Sequence, residues 1–335
     1  VKLDDFLQKE YGYNPAVKDS LQTYIDQWKS WYAGNVKNFH NYFIYNGKRK
    51  VPQTRFTMNM AKEISEDWSD ILWSEKCKIS MANDESQSQF DDLVDDLDLY
   101  TLINQSIEKS GGLGTEAAVV SVYDLISNED GMYLDVSQAK TRIDLVDIDW
   151  IYPLSWNNKG ITECAFGSVE FNKGQKYVVL SVHKLNDTGN YVIYNHLFRS
   201  DNDNLIEITD QDGTIPEFDT KSNIKWFSIF KPLLTNNIFN NSPFGIPHYA
   251  NAIDNMKAVD ISFDALKNEV KDGRKRTFVR ADMLNYDDGT QRMVFDDNDI
   301  SVYVLPKGAT KDDLIQSDTE NLRTDKQIET LNTAL

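Results

Sequence analysis

Apolar residues recur at helical spacing through the first third of the chain. Asn14 followed by Pro15 predicts a helix start, after which Val17, Leu21, Tyr24, Ile25, Trp28, Trp31 and Tyr32 repeat until Gly34 ends the run. Ala61, Ile64, Trp68, Ile71 and Leu72 predict a second helix with one apolar face. Phe90, Leu93, Leu97, Tyr100, Ile103 and Ile107 predict a third, whose outer face carries Asp91, Asp92, Asp95, Asp96 and Asp98. From Gly111 the period shortens. Segments 117–123, 142–151, 163–171, 176–185 and 190–198 are β-branched and aromatic, mostly alternate, and are divided by turn sequences such as NKG at 172–174 and NDTG at 186–189. They predict an antiparallel meander of at least four strands with one face covered by the helices, an α+β domain of roughly 240 residues.

Helical spacing then returns. Pro247 predicts the start of a helix ~40 Å long, at 1.5 Å per residue, in which Tyr249, Ile253, Met256, Val259, Phe263, Leu266 and Val270 form one stripe before Gly273. Asp254, Lys257, Asp260, Asp264, Lys267 and Glu269 are expected elsewhere on its surface, so the helix suits a strut packed on neighbouring helices. TFVRADML, MVFDDND and SVYVLP predict two or three small strands, and Leu322, Ile328, Leu331 and Leu335 begin a returning helix. The pattern is uncapped at Leu335 and has no basic, apolar leader at Val1, which reads as a fragment of a longer chain without a secretion signal.

Composition narrows the function. The length of 335 residues suits two or three domains, and no apolar run approaches a membrane span. Lys and Arg number 35 against 53 Asp and Glu, a net charge of −18, which excludes a mainly electrostatic grip on nucleic acid by the chain as a whole. Cys77 and Cys164 lie far apart without metal-ligand spacing, as expected of a reducing compartment.

No catalytic constellation emerges. His40, His183, His196 and His248 lack the spacings that put two ligands on one helix face, although His183 and His196 could meet across the meander. GGLG at 111–114 follows a helix and precedes a strand, the reverse of a phosphate-binding turn, and is expected to be a connector. Asp201, Asp203 and Glu207, or Asp210, Asp212 and Glu217, lack the Gly and Glu positions of an EF-hand loop and read as solvated turns. No metal and no cofactor is therefore expected. Lys271, Arg274, Lys275, Arg276 and Arg280 stand out: residues 271–280 carry a net +4, while 281–320 carry −7. A helix dipole accounts for one or two of these cations, and the rest suggest contact with DNA or a partner. Lys48, Arg49 and Lys50 read as a solvated loop.

RFTMNMAKEISEDWSDILWSEKCKIS at 55–80, FGIPHYANAIDNMKAVDISFDALKNEVKDGRKRTFV at 244–279 and QIETLNTAL at 327–335 resemble, in that order, the portal proteins of tailed bacteriophages, most closely the type of phages of Gram-positive bacteria often described as minor capsid proteins. The resemblance implies a non-enzymatic subunit of a ring, usually of twelve, at one capsid vertex in the virion, assembled in the host cytoplasm. Double-stranded DNA would pass through it, and its partners would be further copies of itself, the terminase motor, and neck, adaptor, scaffold and capsid proteins, with no membrane. Residues 1–245 would be the wing, 246–272 the first stem helix, 273–320 the clip and 321–335 the start of the second stem helix. The tunnel helix, tunnel loop and crown of the family would follow beyond this chain. Two other classes fit the residues less well. One is a carbohydrate- or peptide-binding module using Trp150, Trp156 and Trp226 on an aromatic-rich sheet; the other is a metal-dependent hydrolase built on the Asp clusters and histidines.

Overall fold

The computed structural model describes the chain except residues 1, 46, 48, 75–76, 124–125, 128–132, 136–139, 202–203, 209–214, 273–276, 281–284, 288–291, 295–301, 306–323 and 335. A helix absent from the sequence reading, α1 (Leu3–Tyr11), comes first and ends at Gly12 in the left-handed region. Asn14 Oδ1 then accepts the Ala16 N–H, and α2 (Ala16–Tyr32) runs to Gly34, as expected. The basic GKRK falls at a hairpin in which β1 (Asn41–Tyr45) pairs with β2 (Lys50–Thr54): Arg49 lies in the connection, as expected of a loop, Lys50 begins β2, and Lys48 lies outside the described residues. After α3 (Met60–Leu72), the expected third helix is two, α4 (Asp84–Leu97) and α5 (Leu99–Leu113). They break at Asp98, whose φ of 47° an aspartate tolerates and whose carboxylate accepts from Thr101 Oγ1 in the first turn of the new helix.

The strands follow in chain order: β3 (Glu116–Tyr123), β4 (Ile126–Ser127), β5 (Tyr133–Asp135), β6 (Lys140–Asp147), β7 (Ile151–Asn157), β8 (Gly160–Asn172), β9 (Gln175–Leu185), β10 (Tyr191–Asp201), β11 (Asn204–Glu207), β12 (Glu217–Asp219) and β13 (Phe227–Phe230). The segment 142–151, expected as one strand, is cut by a 3-10 turn at Ile148–Trp150, so it feeds two sheets. One is the antiparallel meander β11-β10-β9-β8-β7, with β12 also on β10; the other is antiparallel β13-β3-β6. Pro153 is tolerated because β7 is the edge strand and shifts register there. Lys173 and Gly174, both at positive φ, make the tight turn between β8 and β9.

The long helix is shorter than its apolar stripe. Residues 247–249 are irregular, Ala250–Ala252 form a 3-10 turn, and α6 (Ile253–Asp272) has 20 residues, ~30 Å. The cause is tertiary. Tyr249 Oη lies 2.6 Å from the Gly112 carbonyl and 3.0 Å from that of Trp28, while the His248 N–H donates to the Gly111 carbonyl, and these bonds hold the segment in a tighter turn. Beyond α6 come β14 (Thr277–Arg280), β15 (Asn285–Asp287), β16 (Arg292–Val294), β17 (Val302–Leu305) and α7 (Thr324–Ala334). Strands β14 and β17 pair in parallel and β15 and β16 antiparallel, so the small β segment holds four strands among the described residues.

The fold is α+β, in two compact units: residues 1–37 with 59–252, and 38–58 with 253–335. In the first, Leu7 and Tyr13 pack on Tyr152, Leu180, Val182 and Phe198 of the meander, each fully buried apolar side chain contributing ~1.5–3 kcal/mol. Its other face meets the second sheet, where Phe227 contacts Phe166 and His183. The large apolar side chains of α3 are not its buried face. Ala61, Ser65 and Ser69 are buried in a helix that packs on α5, itself lined by Ser106, Ser110, Gly111 and Gly112, whereas Trp68, Ile71 and Leu72 are exposed. Small residues allow the close helix approach, and it turns the large side chains out. In the second unit, hairpin β1–β2, the four short strands, α6 and α7 come together, with α7 packed on α6.

Candidate functional site

The second unit carries a buried polar cluster on α6. Asp260 and Asp264, one helical turn apart, were expected on the polar surface but are 2% and 8% exposed. Both Asp260 oxygens are engaged: His40 Nε2 lies 2.9 Å from Oδ2, Thr57 Oγ1 3.0 and 3.1 Å from the two oxygens, and the Met58 N–H donates to Oδ1 at 2.8 Å. Asp264 accepts from the Phe56 N–H, and Lys267 places its ammonium over the Phe56 and Phe263 rings. One row of α6 thus ties down residues 38–58. A carboxylate that accepts from three donors, the Thr57 hydroxyl among them, has the chemistry of a clamp.

Of the residues expected to pack this helix, Tyr249 is buried in the first unit, ahead of α6. Ile253 and Met256 are buried in α6, with Val259 between them and Asp260, while Phe263 and Leu266 are half-buried. Val270 and Lys271 belong to the last turns of α6 and Arg280 ends β14, but their side chains lie outside the described residues. Arg274, Lys275 and Arg276 lie wholly outside them, as do Asp203, Asp210 and Asp212.

The histidines do not converge. The strand ladder sets His183 opposite Ile193 and His196 opposite Leu180, which places the two rings on opposite faces of the meander. His183 is buried, which pushes its pKa down to about 4; Ser181 Oγ lies 3.2 Å from Nε2, while Nδ1 has no partner and hence no orienting carboxylate. His196 bridges Tyr11 Oη at 2.5 Å and Glu207 Oε1 at 2.7 Å, fastening α1 to β10 and β11. His248 stacks on Trp68. Among the described residues no group of three or more His, Cys, Asp or Glu side chains is placed to hold a metal ion. The three tryptophans form no common platform: Trp150 covers Gly167, Trp156 Nε1 donates to the Asn241 carbonyl, and Trp226 packs on Phe218. The glycines of 111–114 end α5 and lead into β3, the connector expected.

Sequence reasoning also missed Glu116, which alternation on β3 does not distinguish from a surface acid. It is 1% exposed. Lys109 donates to Asp147 and stands 3.5 Å from Glu116 Oε1, so neither Glu116 oxygen has a hydrogen-bond partner. Burial, opposed by Lys109 and aided by Asp147, pushes its pKa up to about 8. The folded state then keeps a proton that the unfolded chain loses near pH 4.5. This contribution to stability is complete below that pH and is lost as pH rises towards 8, by at most ~1.4 kcal/mol per pH unit. Glu116→Gln, neutral throughout, should therefore gain stability relative to wild type between pH 5 and 8 in urea titrations. A difference independent of pH would show that Glu116 is ionised in the fold.

No protein-family model matches the chain, and no curated protein matches it in sequence.

Proposed function

We propose that the chain is a portal-type subunit, a non-catalytic component of a ring through which double-stranded DNA enters and leaves a phage capsid. The observation that carries this reading is the order within the second unit: α6, a small β segment, then α7 packed on α6. On it, residues 1–245 act as the wing, α6 as the first stem helix, 273–320 as the clip that meets the neck proteins and terminase motor, and α7 as the start of the second stem helix. The resemblance of 55–80, 244–279 and 327–335 to portal sequences points the same way.

Charge and surface support the reading. A passage for DNA must not hold it, because each neutralised phosphate adds a salt-dependent grip, and a net charge of −18 per chain opposes such a grip. The cations of 271–280 would form a narrow band that steadies the duplex or docks an acidic partner. Uncovered apolar side chains, Ile71 and Leu72 on α3 and Phe43 and Tyr45 on β1, suit a subunit packed against its neighbours. No helix among the described residues is long and apolar enough to cross a membrane. Virion localisation and the scaffold and capsid partners follow from this proposal alone.

Electron microscopy and native mass spectrometry over rising protein concentration test it. Annular particles of uniform subunit number with an axial hole are expected to accumulate at high concentration. Monomers at every concentration would reject the proposal.

A further inference from the structure

Helix α4 and the β1–β2 hairpin bury none of their residues: no position of the 14-residue helix or of the two five-residue strands is buried. A two-stranded hairpin alone is at best marginal in water, and so is a helix of this length without a covered face. Their charges are opposite. Between Asp26 and Glu63 lie seven Lys and Arg residues and no Asp or Glu, whereas between Lys78 and Lys109 lie eight Asp and Glu residues and no Lys or Arg. The surfaces also match in arrangement. On β1, Phe43 and Tyr45, 67% and 66% exposed, alternate onto one face, with Pro52 and Lys50 directly across the ladder and exposed Arg49 beside Lys50. That face is an apolar patch with cations at one end. On α4, Leu93 is 41% exposed, and Glu85, Gln89, Asp92 and Asp96 run beside it as one row at steps of four, three and four. Asp95 and Asp96 stand in the last turn, which holds no cation although the helix dipole favours one there. The end of α4 thus lacks the charge that the hairpin carries.

We infer that the β1–β2 hairpin of one copy docks on α4 of a second copy, with Arg49 and Lys50 against Asp92 and Asp96 and the rings of Phe43 and Tyr45 over Leu93. The occupant is the chain itself, because every copy supplies one cationic hairpin and one acidic helix. Two different surfaces meet, so the contact is head to tail. Each copy gives its hairpin to one neighbour and its α4 to the other, and the series closes into a ring where the rotation allows. The inference rests on the ring reading above for that closure. A single exposed ion pair adds little, but several opposed across one patch set partner and register.

Sedimentation equilibrium of the whole chain tests the contact, with Arg49→Glu/Lys50→Glu and Asp92→Lys/Asp96→Lys as variants; all four positions are exposed, so both should fold. Wild type should associate at least tenfold more weakly when NaCl rises from about 0.05 to about 0.5 M, because screening then acts within a few ångströms. Each variant alone should also associate at least tenfold more weakly than wild type, since like charges then face each other. Mixed in equal amounts, the two variants should recover wild-type association, because each reversed hairpin now meets a reversed helix. This rescue separates a contact between copies from one within a chain. No recovery on mixing would overturn the inference. Rings of wild-type subunit number from both variants would overturn it too and leave the ring reading standing, whereas wild-type monomers at every concentration would reject both. Loss of binding to a labelled oligonucleotide by Arg49→Glu/Lys50→Glu, with association unchanged, would make the hairpin a nucleic-acid site instead.

Discussion

Replacing Asp260 by Ala should cost about 3–5 kcal/mol of stability in the second unit, the scale of removing one partner from a buried ionic cluster. The carboxylate collects the His40 ring, the Thr57 hydroxyl and the Met58 N–H within 3.1 Å. Alanine leaves these groups without that acceptor, the His40 ring at a position that is 2% exposed. It also removes the main tie between α6 and residues 38–58. Asp260→Asn keeps one acceptor oxygen and should lose less. The unfolding midpoint in urea, followed by a probe on the β1–β2 hairpin, measures the effect. An alanine variant within about 0.5 kcal/mol of wild type would show that the donors find other partners and that the cluster is not a clamp.

Gly114→Ala is expected to destabilise the first unit by roughly 2–4 kcal/mol through two separate causes. Its φ of 86° lies in the left-handed region, which alanine adopts at a cost. A Cβ there would also lie 2.8 Å from the Gly245 carbonyl oxygen, and backbone cannot swing away as a side chain can. The approach is mutual, since a Cβ on Gly245 would lie 2.5 Å from the Gly114 oxygen, and the Gly245 N–H is spent on Thr115 Oγ1. A native-like melting temperature for Gly114→Ala would mean that the two segments can separate without loss, contrary to the packing described. Gly112→Ala offers a comparison of another kind, because its Cβ would meet the Tyr32 ring, a side chain and not backbone, whose hydroxyl donates to Glu108.

These two sites divide what could be read along the chain from what could not. Period alone identified α2, α3, the strands of the meander and α6, because a helix or strand buries one face and the alternation of apolar and polar residues records which positions share it. The GGLG connector was legible too, since a phosphate-binding turn demands the opposite order of strand and helix. The side each element turns inward was less secure. On α3 the large apolar residues face out and Ser65 and Ser69 face in, because the glycines and serines of α5 let two backbones approach more closely than a tryptophan would.

Breaks within a periodic run were not legible either. The stripe from Tyr249 to Val270 is continuous in sequence, yet the helix begins only at Ile253, because the Tyr249 hydroxyl is held at the carbonyls of Trp28 and Gly112 and the His248 N–H at that of Gly111. The polar residues were hardest of all. Nothing in the spacing of Asp260 separates it from Asp254, which stays on the surface, and Glu116 sits in an alternating strand like any exposed acid. What decides their state is a partner 220 positions away in sequence for Asp260, and for Glu116 enclosure with Lys109, among the described residues, alone at ion-pair distance. Local spacing thus determined which elements exist and roughly where. The tertiary structure alone decided which charges are buried and where helices stop, because a carboxylate's burial depends on what the fold brings to it and not on its neighbours along the chain.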